Sequence, residues 1–545
     1  MKGARPDVRL VAAEIMLVYY LFTSTVGAGR KREMINVTIG ADNQELQIGE
    51  DGNVYRALSQ HIGNPGSYYN TRQDIHVGYL IDLALQLKSK NLNERKTLLE
   101  DNPWGFLEFA EGIENQSATM RHVVCHLLYP QYFERIASDR HKNLILSVFG
   151  DLAYASDKGE EIGNDQRLYA IRERFKQLYP EWTEEQRDYY HGSLRAAWFP
   201  TSTSGMDEEL DPMTALLFKK QIVMYGPPGT GKTYRAAQMA EALIRSEYIK
   251  RRGIKEYFED LTIDEVVSQH VTRLQLHPSY GYQEFMVGLG LDSSGATSTQ
   301  MGALPRLIER INDEFQKLGD KALPHVLILD EINRTDLSAM LGEAFSAIER
   351  DKRGKEIKLF PESESGQSLR FAVPQDLYII GTMNEIDQSV EALDFALRRR
   401  FFWFPTPYSE DDLFEIWRAQ WKEQAVPLDW DKAKPQLDEL AENVRSLNER
   451  IRQTAELGHE YELGAALFAD LPFFLSSEWH GKSAGKHSGR YLWNKKNEPL
   501  SPLVSLWTLS IEPVLNDYLA GSDNRDDSIS ELKQLFLQRN SQRDD

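Results

Sequence analysis

The sequence predicts an α/β domain on a parallel sheet, preceded by a mostly helical α+β N-terminal domain and followed by further helices. Three apolar runs predict the sheet: Gln221–Tyr225, Val326–Asp330 and Leu377–Asn384. Parallel strands are covered on both faces, so they read as continuous apolar stretches. The first run leads through a glycine-rich turn into a helical pattern over Tyr234–Ile249, the opening of a β-α-β unit. The second and third end in polar side chains, at the carboxyl edge where such sheets collect ligands.

Around this domain the chain has room for more. Its 545 residues allow three or four domains at roughly 100–200 residues each. With 41 % apolar and 27 % charged residues, wholesale disorder and fibrous repeats are excluded. The single cysteine, Cys125, excludes an internal disulfide and a cysteine-rich zinc site. A net charge of −20 disfavours a protein whose whole surface clamps DNA.

The N-terminal segment 10–28 is apolar, but Glu14 interrupts it. A charge at bilayer depth costs a few kcal/mol, so the segment is expected to be a buried amphipathic helix of a soluble domain rather than a signal or a span. That helix starts almost at Met1, which hints that N-terminal residues are missing. Residues 35–75 mix apolar and turn-forming residues, with a turn signal at Gly63–Gly66. Residues 76–200 read as helices, one over Met120–Tyr129 stopped by Pro130, another over Gln166–Leu178 stopped by Pro180. His122 and His126 have the spacing of metal ligands on a helix, but no third ligand accompanies them, so packed or surface histidines are expected. Trp182, Tyr189, Tyr190, Trp198 and Phe199 are expected to build core rather than a base-stacking platform. The polar, proline-bounded run 199–212 marks a linker.

The chemistry begins after that linker. Gly226-Pro227-Pro228-Gly229-Thr230-Gly231-Lys232-Thr233 follows a strand and opens a helix. This is the context of a phosphate-binding loop, in which backbone N–H groups curl around phosphate oxygens at a helix N-terminus. Lys232 is expected to reach the β- and γ-phosphates and the Thr233 hydroxyl to ligate Mg²⁺; Tyr234 follows in the first turn. Asp330 is expected to join Thr233 in the Mg²⁺ shell, and Glu331 to orient and deprotonate the attacking water. The stretch from Lys232 to Asp330 is long for a strand–helix repeat, so an insertion is expected at about 276–300. Asn384 is placed to hydrogen-bond the lytic water or the γ-phosphate. The arginines Arg398, Arg399 and Arg400 end a helical pattern; they suit a helix dipole or an arginine finger offered to a neighbouring subunit.

In this order the elements resemble an AAA+ P-loop NTPase: Walker A, Walker B, sensor 1 and arginine finger. The wording Asp330-Glu-Ile-Asn-Arg334, Met383-Asn-Glu-Ile-Asp-Gln-Ser389, Ala396-Leu-Arg-Arg-Arg-Phe401 and His277–Phe285 is similar to McrB-like proteins, the motor subunits of modification-dependent restriction systems. Tyr461–Gly464 and Ile511–Tyr518 resemble that family's helical lid. Glu385, Ile386 and Gln388 depart from its guanine-nucleotide signature, and Gly464-Ala465-Ala466 departs from its lid motif, so a GTP preference and a lid sensor are not carried over.

The resemblance implies an ATP or GTP hydrolase using Mg²⁺, with Glu331, Asn384, Arg398 and Arg399 as catalytic candidates. It implies a cytoplasmic homo-oligomeric ring, hexameric in the family, with a separate McrC-like nuclease subunit, DNA contacted through the N-terminal domain or the partner, and no membrane. The resulting division is a recognition or accessory domain 1–200, a linker 201–214, a nucleotide-binding domain 215–405, a helical lid 406–520 and an acidic tail 521–545. The alternative is a MoxR-like or dynein-related ATPase that remodels protein partners.

Overall fold

A computed structural model describes residues 4–23, 26–40, 45–49, 52–60, 62, 69, 72–114, 117–154, 163–198, 211–291, 297–358, 370–386, 395–454, 457–479 and 490–539. The turn expected at 63–66, most of the linker, and Asp387, Gln388 and Ser389 lie outside these. The chain divides into two units, Met1–Phe199 and Pro200–Asp545.

The first unit is helical in its described residues. Helix α1 (Pro6–Phe22) buries Ala13, Tyr19, Tyr20 and Phe22 and leaves Glu14 exposed, which is why a charge is tolerated there. Among the described residues no helix is long and apolar enough to cross a membrane. Helices α2 (Ala118–Leu128), α3 (Asp139–Phe149) and α4 (Asn164–Leu178) carry a buried charge network. Lys142 Nζ donates to both oxygens of Asp165, at 2.7 and 2.8 Å, and to His122 Nδ1 at 2.7 Å; His122 Nε2 lies 2.8 Å from Asp139 Oδ1. The charge of Lys142 is tolerated inside because all three of its protons meet acceptors. His126 Nδ1 bonds the Phe133 carbonyl at 2.8 Å. Both histidines are thus packed, as their isolation in the sequence suggested. Tyr189 and Trp198 are core, with the indole N–H of Trp198 donating to the Tyr189 carbonyl at 2.7 Å. Cys125 is buried.

The second unit holds a five-stranded sheet in the order β2-β5-β8-β1-β9, with every neighbouring pair parallel. Its strands are β1 (Gln221–Gly226), β2 (Val271–Gln275), β5 (His325–Asp330), β8 (Leu377–Asn384) and β9 (Phe402–Pro405). Helix α5 (Lys232–Arg252) follows β1, α6 (Ile263–Gln269) precedes β2, and α7 (Ala303–Leu318) precedes β5. Strands β1, β5 and β8 are those read from the sequence; all six residues of β5 are buried. Between β2 and α7 an antiparallel hairpin, β3 (Val287–Leu291) and β4 (Thr297–Met301), forms a sheet of its own. A second hairpin pairs β6 (Ile357–Lys358) with β7 (Arg370–Phe371). The arginine segment is only briefly helical, α8 (Phe395–Arg398), before β9 continues it.

The lid begins with α9 (Glu410–Glu423) and α10 (Trp430–Gln453) and has its own core around Trp417, Leu440, Leu447, Trp493 and Trp507. The segment expected to be an acidic tail is corrected here. Residues Arg525–Leu537 form helix α11, whose Ile529, Leu532 and Phe536 enter the lid core. Asn443 of α10 donates to the carbonyls of Phe536 and Gln538 at 3.0 and 2.7 Å. The spacing i, i+3, i+7 marks one helical face, which the acidic Asp526 and Asp527 of its first turn disguise.

Candidate functional site: a glycine loop facing two carboxylates

The loop after β1 owes its shape to its glycines. Gly229 and Gly231 both have φ +76°, a left-handed conformation that side chains resist. A Cβ on Gly226 would stand 2.6 Å from the Thr406 carbonyl oxygen, so glycine is required there by close approach as well. Thr230 closes the loop by donating to the Pro227 carbonyl at 2.9 Å. Lys232, the first residue of α5, is buried and donates to the carbonyls of Gly226 and Pro227 at 3.0 and 2.6 Å. It lies folded over the loop it would serve. Pro228 is half-buried within the loop, and Tyr234 is exposed in the first turn of α5.

Opposite the loop stands the end of β5. Thr233 Oγ1 donates to Asp330 Oδ1 at 2.7 Å, and Thr382 on β8 donates to the same oxygen. The Arg273 guanidinium on β2 donates to Asp330 Oδ2 at 2.6 Å. Burial pushes the Asp330 carboxyl up, but the hydroxyls of Thr382 and Thr233 and the Arg273 charge outweigh it and hold it below the usual carboxylate range. Glu331 leaves the strand at φ +59°, a strained conformation for a side chain of its kind. Its Oε2 lies 3.1 Å from Arg334 Nε, and Gln275 donates to it at 3.4 Å. Its N–H donates to Thr382 Oγ1 at 3.2 Å. Thr382 therefore links both acidic residues to β8.

Asn384 ends β8 in register with Gly226 on β1, which places it at the mouth of the loop. Its carbonyl accepts from Asn333 Nδ2 at 2.7 Å. Arg398 and Arg399 are exposed. Arg400 is buried, 2.8 Å from Glu349 Oε1, and lies 4.0 Å above the Phe345 ring. Of the three arginines it is the buried one, while the Arg398 guanidinium lies 5.9 Å over the Trp403 ring.

The lid supplies contacts that sequence reasoning missed. The N–H of Gly464 donates to the Pro228 carbonyl at 3.2 Å, and that of Ala466 to the Gly229 carbonyl at 3.0 Å. Asn448 of α10 holds this segment from behind, exchanging hydrogen bonds of 3.0 and 2.7 Å with the backbone of Leu463. An ion pair between Arg235 of α5 and Asp412 of α9 adds a second tie. Glu385, one of the residues departing from the expected signature, has its carboxyl pushed up by burial. The signal in the sequence was Tyr461–Gly464, which resembles a lid motif but does not show the contacts it makes.

Comparison with known proteins agrees with this geometry. The family model of the AAA domain, dynein-related subfamily, matches residues 221–401. Residues 221–401 are an AAA domain. The AAA domain is a P-loop NTPase fold, and its parallel sheet is the one described above. The chain is 28 % identical over 317 residues to the type IV methyl-directed restriction enzyme EcoKMcrB subunit of Escherichia coli, covering 57 % of this chain and 59 % of that protein. It is 24 % identical over 207 residues to the type II restriction enzyme BsuMI component YdiS of Bacillus subtilis, covering 33 % of this chain and 54 % of that one. The chain thus spans less than two thirds of either relative. Among solved structures, C. elegans PCH-2 matches over 61 % of this chain at 14 % identity and a TM-score of 0.27, too low to argue from.

Proposed function

We propose that the chain hydrolyses ATP or GTP and is the motor subunit of a restriction system, working as a ring that powers a separate nuclease. The observation that carries the reading is the meeting of Thr233 and Asp330 at 2.7 Å beside the glycine loop and Lys232. A hydroxyl and a carboxylate in contact are hard oxygen donors of the kind Mg²⁺ takes together with substrate phosphates. These residues fit the ion, and Thr233 and Asp330 would hold it. When bound it would neutralise developing phosphate charge. Lys232 exchanges its carbonyl partners for phosphate oxygens. Glu331 takes the proton of the attacking water, with Arg334 and Gln275 steadying its carboxylate. Asn384 orients that water, and Arg398 or Arg399 reaches the γ-phosphate of a neighbouring subunit.

The restriction assignment rests on the likeness to two restriction components. A cytoplasmic site of action goes with it, and DNA would be met through the N-terminal unit or the nuclease. The test is an NTPase assay with ATP and with GTP, with and without a co-encoded nuclease subunit. Turnover stimulated by that subunit is expected. Glu331→Gln should keep nucleotide binding while turnover falls by orders of magnitude. Undiminished turnover in that variant would place the base elsewhere. Stimulation by a protein that it remodels, with none by a nuclease, would favour the alternative of a MoxR-like or dynein-related ATPase.

A further inference from the structure

The structure assigns a second divalent-cation site, of zinc type, to His270, Glu314 and His325, at the edge of the sheet remote from the glycine loop. His270 stands between α6 and β2, His325 opens β5, and Glu314 lies on α7. Because β2 and β5 are parallel neighbours with Val271 opposite Val326, the two imidazoles are brought side by side, ring centroids 4.5 Å apart. His325 begins the strand that Asp330 ends, so about 16 Å separates this cluster from the phosphate site at ~3.3 Å per residue.

The donor atoms converge. Glu314 Oε2 lies 2.9 Å from His270 Nε2 and 3.1 Å from His325 Nε2, and all three ligand atoms fall within 4.8 Å of one another. Among the described residues this is the one group of histidine, cysteine and carboxylate residues so arranged. The histidine side chains are 8 % and 2 % exposed and that of Glu314 18 %. Zinc bonds of about 2.0–2.1 Å place tetrahedral ligands ~3.3 Å apart, close to the two contacts that Glu314 makes with the histidines.

The hydrogen bonds on the far side of the rings also bear on the site. His270 Nδ1 donates to the Val266 carbonyl at 2.6 Å. A neutral ring then turns the lone pair of Nε2 toward a carboxylate oxygen at 2.9 Å, lone pair against lone pair. A metal ion between them would take both lone pairs. A ligand histidine whose other nitrogen donates to a backbone carbonyl is the usual arrangement around zinc. Glu314 is oriented in turn, since Leu323 N–H donates to its Oε1 at 3.2 Å. Among the described residues His325 Nδ1 is buried without a hydrogen-bond partner. Two imidazoles and one carboxylate suit Zn²⁺ and not Mg²⁺, which asks for an all-oxygen octahedron. The Arg252 guanidinium, 3.7 Å from Glu314 Oε1, and the charge of Arg310 acting on His325 oppose a cation here. The ion would staple α6 and α7 to the start of β5.

The test uses the full chain, stripped with chelator and titrated with Co²⁺ alone, then with Zn²⁺ and Mg²⁺ as competitors. Expected are one equivalent of Co²⁺ per chain with intense visible bands of tetrahedral geometry, displaced by Zn²⁺ and not by Mg²⁺. The bands should vanish in His270→Ala and His325→Ala and persist in Asp330→Asn. Glu314→Gln, nearly isosteric, covers the case in which a histidine variant fails to fold. It should weaken Co²⁺ binding about tenfold or more and remove the rise in melting temperature that Zn²⁺ gives the parent chain. Absence of a saturable tetrahedral band overturns the proposal. So does a band that survives the histidine variants, Co²⁺ binding undiminished in Glu314→Gln, or a band lost in Asp330→Asn. Nucleotide turnover does not enter this readout, so its outcome is separate from that of the motor reading.

Discussion

A methyl group at Gly464 tests whether the lid holds the phosphate loop in shape. Gly464 has φ −70° and ψ 159°, which alanine adopts without strain, so any effect is steric. The added Cβ would stand 2.1 Å from the carbonyl carbon of Gly229, 2.3 Å from its oxygen and 2.4 Å from the nitrogen of Thr230. Carbon contacts settle near 3.5–4.0 Å, so the two backbones must part by on the order of 1 Å. The hydrogen bonds of 3.2 and 3.0 Å to Pro228 and Gly229 then pass beyond useful length. Each is worth about 0.5–1.5 kcal/mol, so docking weakens by about 1–3 kcal/mol, a factor of roughly 5–150. The lid binds the loop's carbonyls, which leaves the loop's N–H groups for phosphate, so undocking should weaken nucleotide binding by that factor. Calorimetric titration of Gly464→Ala with nucleotide measures it, with circular dichroism to show that the lid core is intact. Parent affinity in a folded variant would refute the argument.

Other outcomes follow from the same geometry. Arg399→Ala should abolish hydrolysis, and mixing it with Glu331→Gln subunits should restore turnover if the arginine acts on a neighbour; an inactive mixture argues against action in trans. Arg273 competes with any cation for Asp330 Oδ2 and is exposed. Its loss should lower the half-saturating Mg²⁺ concentration by up to about fivefold, the equivalent of ~1 kcal/mol for an exposed pair; an unchanged or higher requirement counts against it. In the N-terminal unit, the hydrogen bond from His122 lowers the Asp139 carboxyl from 3.8 to about 2. A depressed carboxyl contributes stability above its unfolded value, and that contribution is lost as pH falls through about 2. Asp139→Asn should therefore destabilise the unit by about 1 kcal/mol at pH 6, screening allowed for, and flatten the decline in melting temperature between about pH 4 and pH 2.

What could be read in advance was local. Glycine spacing, an apolar run and a terminal carboxylate are each a few residues long, so β1, β5, β8 and the loop were visible in the chain. Strand β2 was not, because it lies at the sheet edge and three of its five positions are only half-buried, with Arg273 and Gln275 exposed; Val-Thr-Arg-Leu-Gln carries no apolar run. Strand β9 was hidden by the arginines before it. Long-range contacts were illegible for another reason. Gly464 meets Pro228 only after the whole domain has folded, and His270, Glu314 and His325 lie on three separate elements. No spacing rule connects such residues, whereas the sheet register that unites the two histidines follows once β2 and β5 are paired.

Helix α5 gives the domain a strut. Its 21 residues span about 31 Å at 1.5 Å each. The near end is Lys232, on the phosphate loop. At the far end Arg251 grips Asp376 and the Ala322 carbonyl, at 2.8 and 2.6 Å, and Arg252 faces Glu314. A continuous helix resists compression, so its two ends are held at a fixed separation. One continuous element thus joins the phosphate loop at one edge of the sheet to the Glu314 contacts at the other.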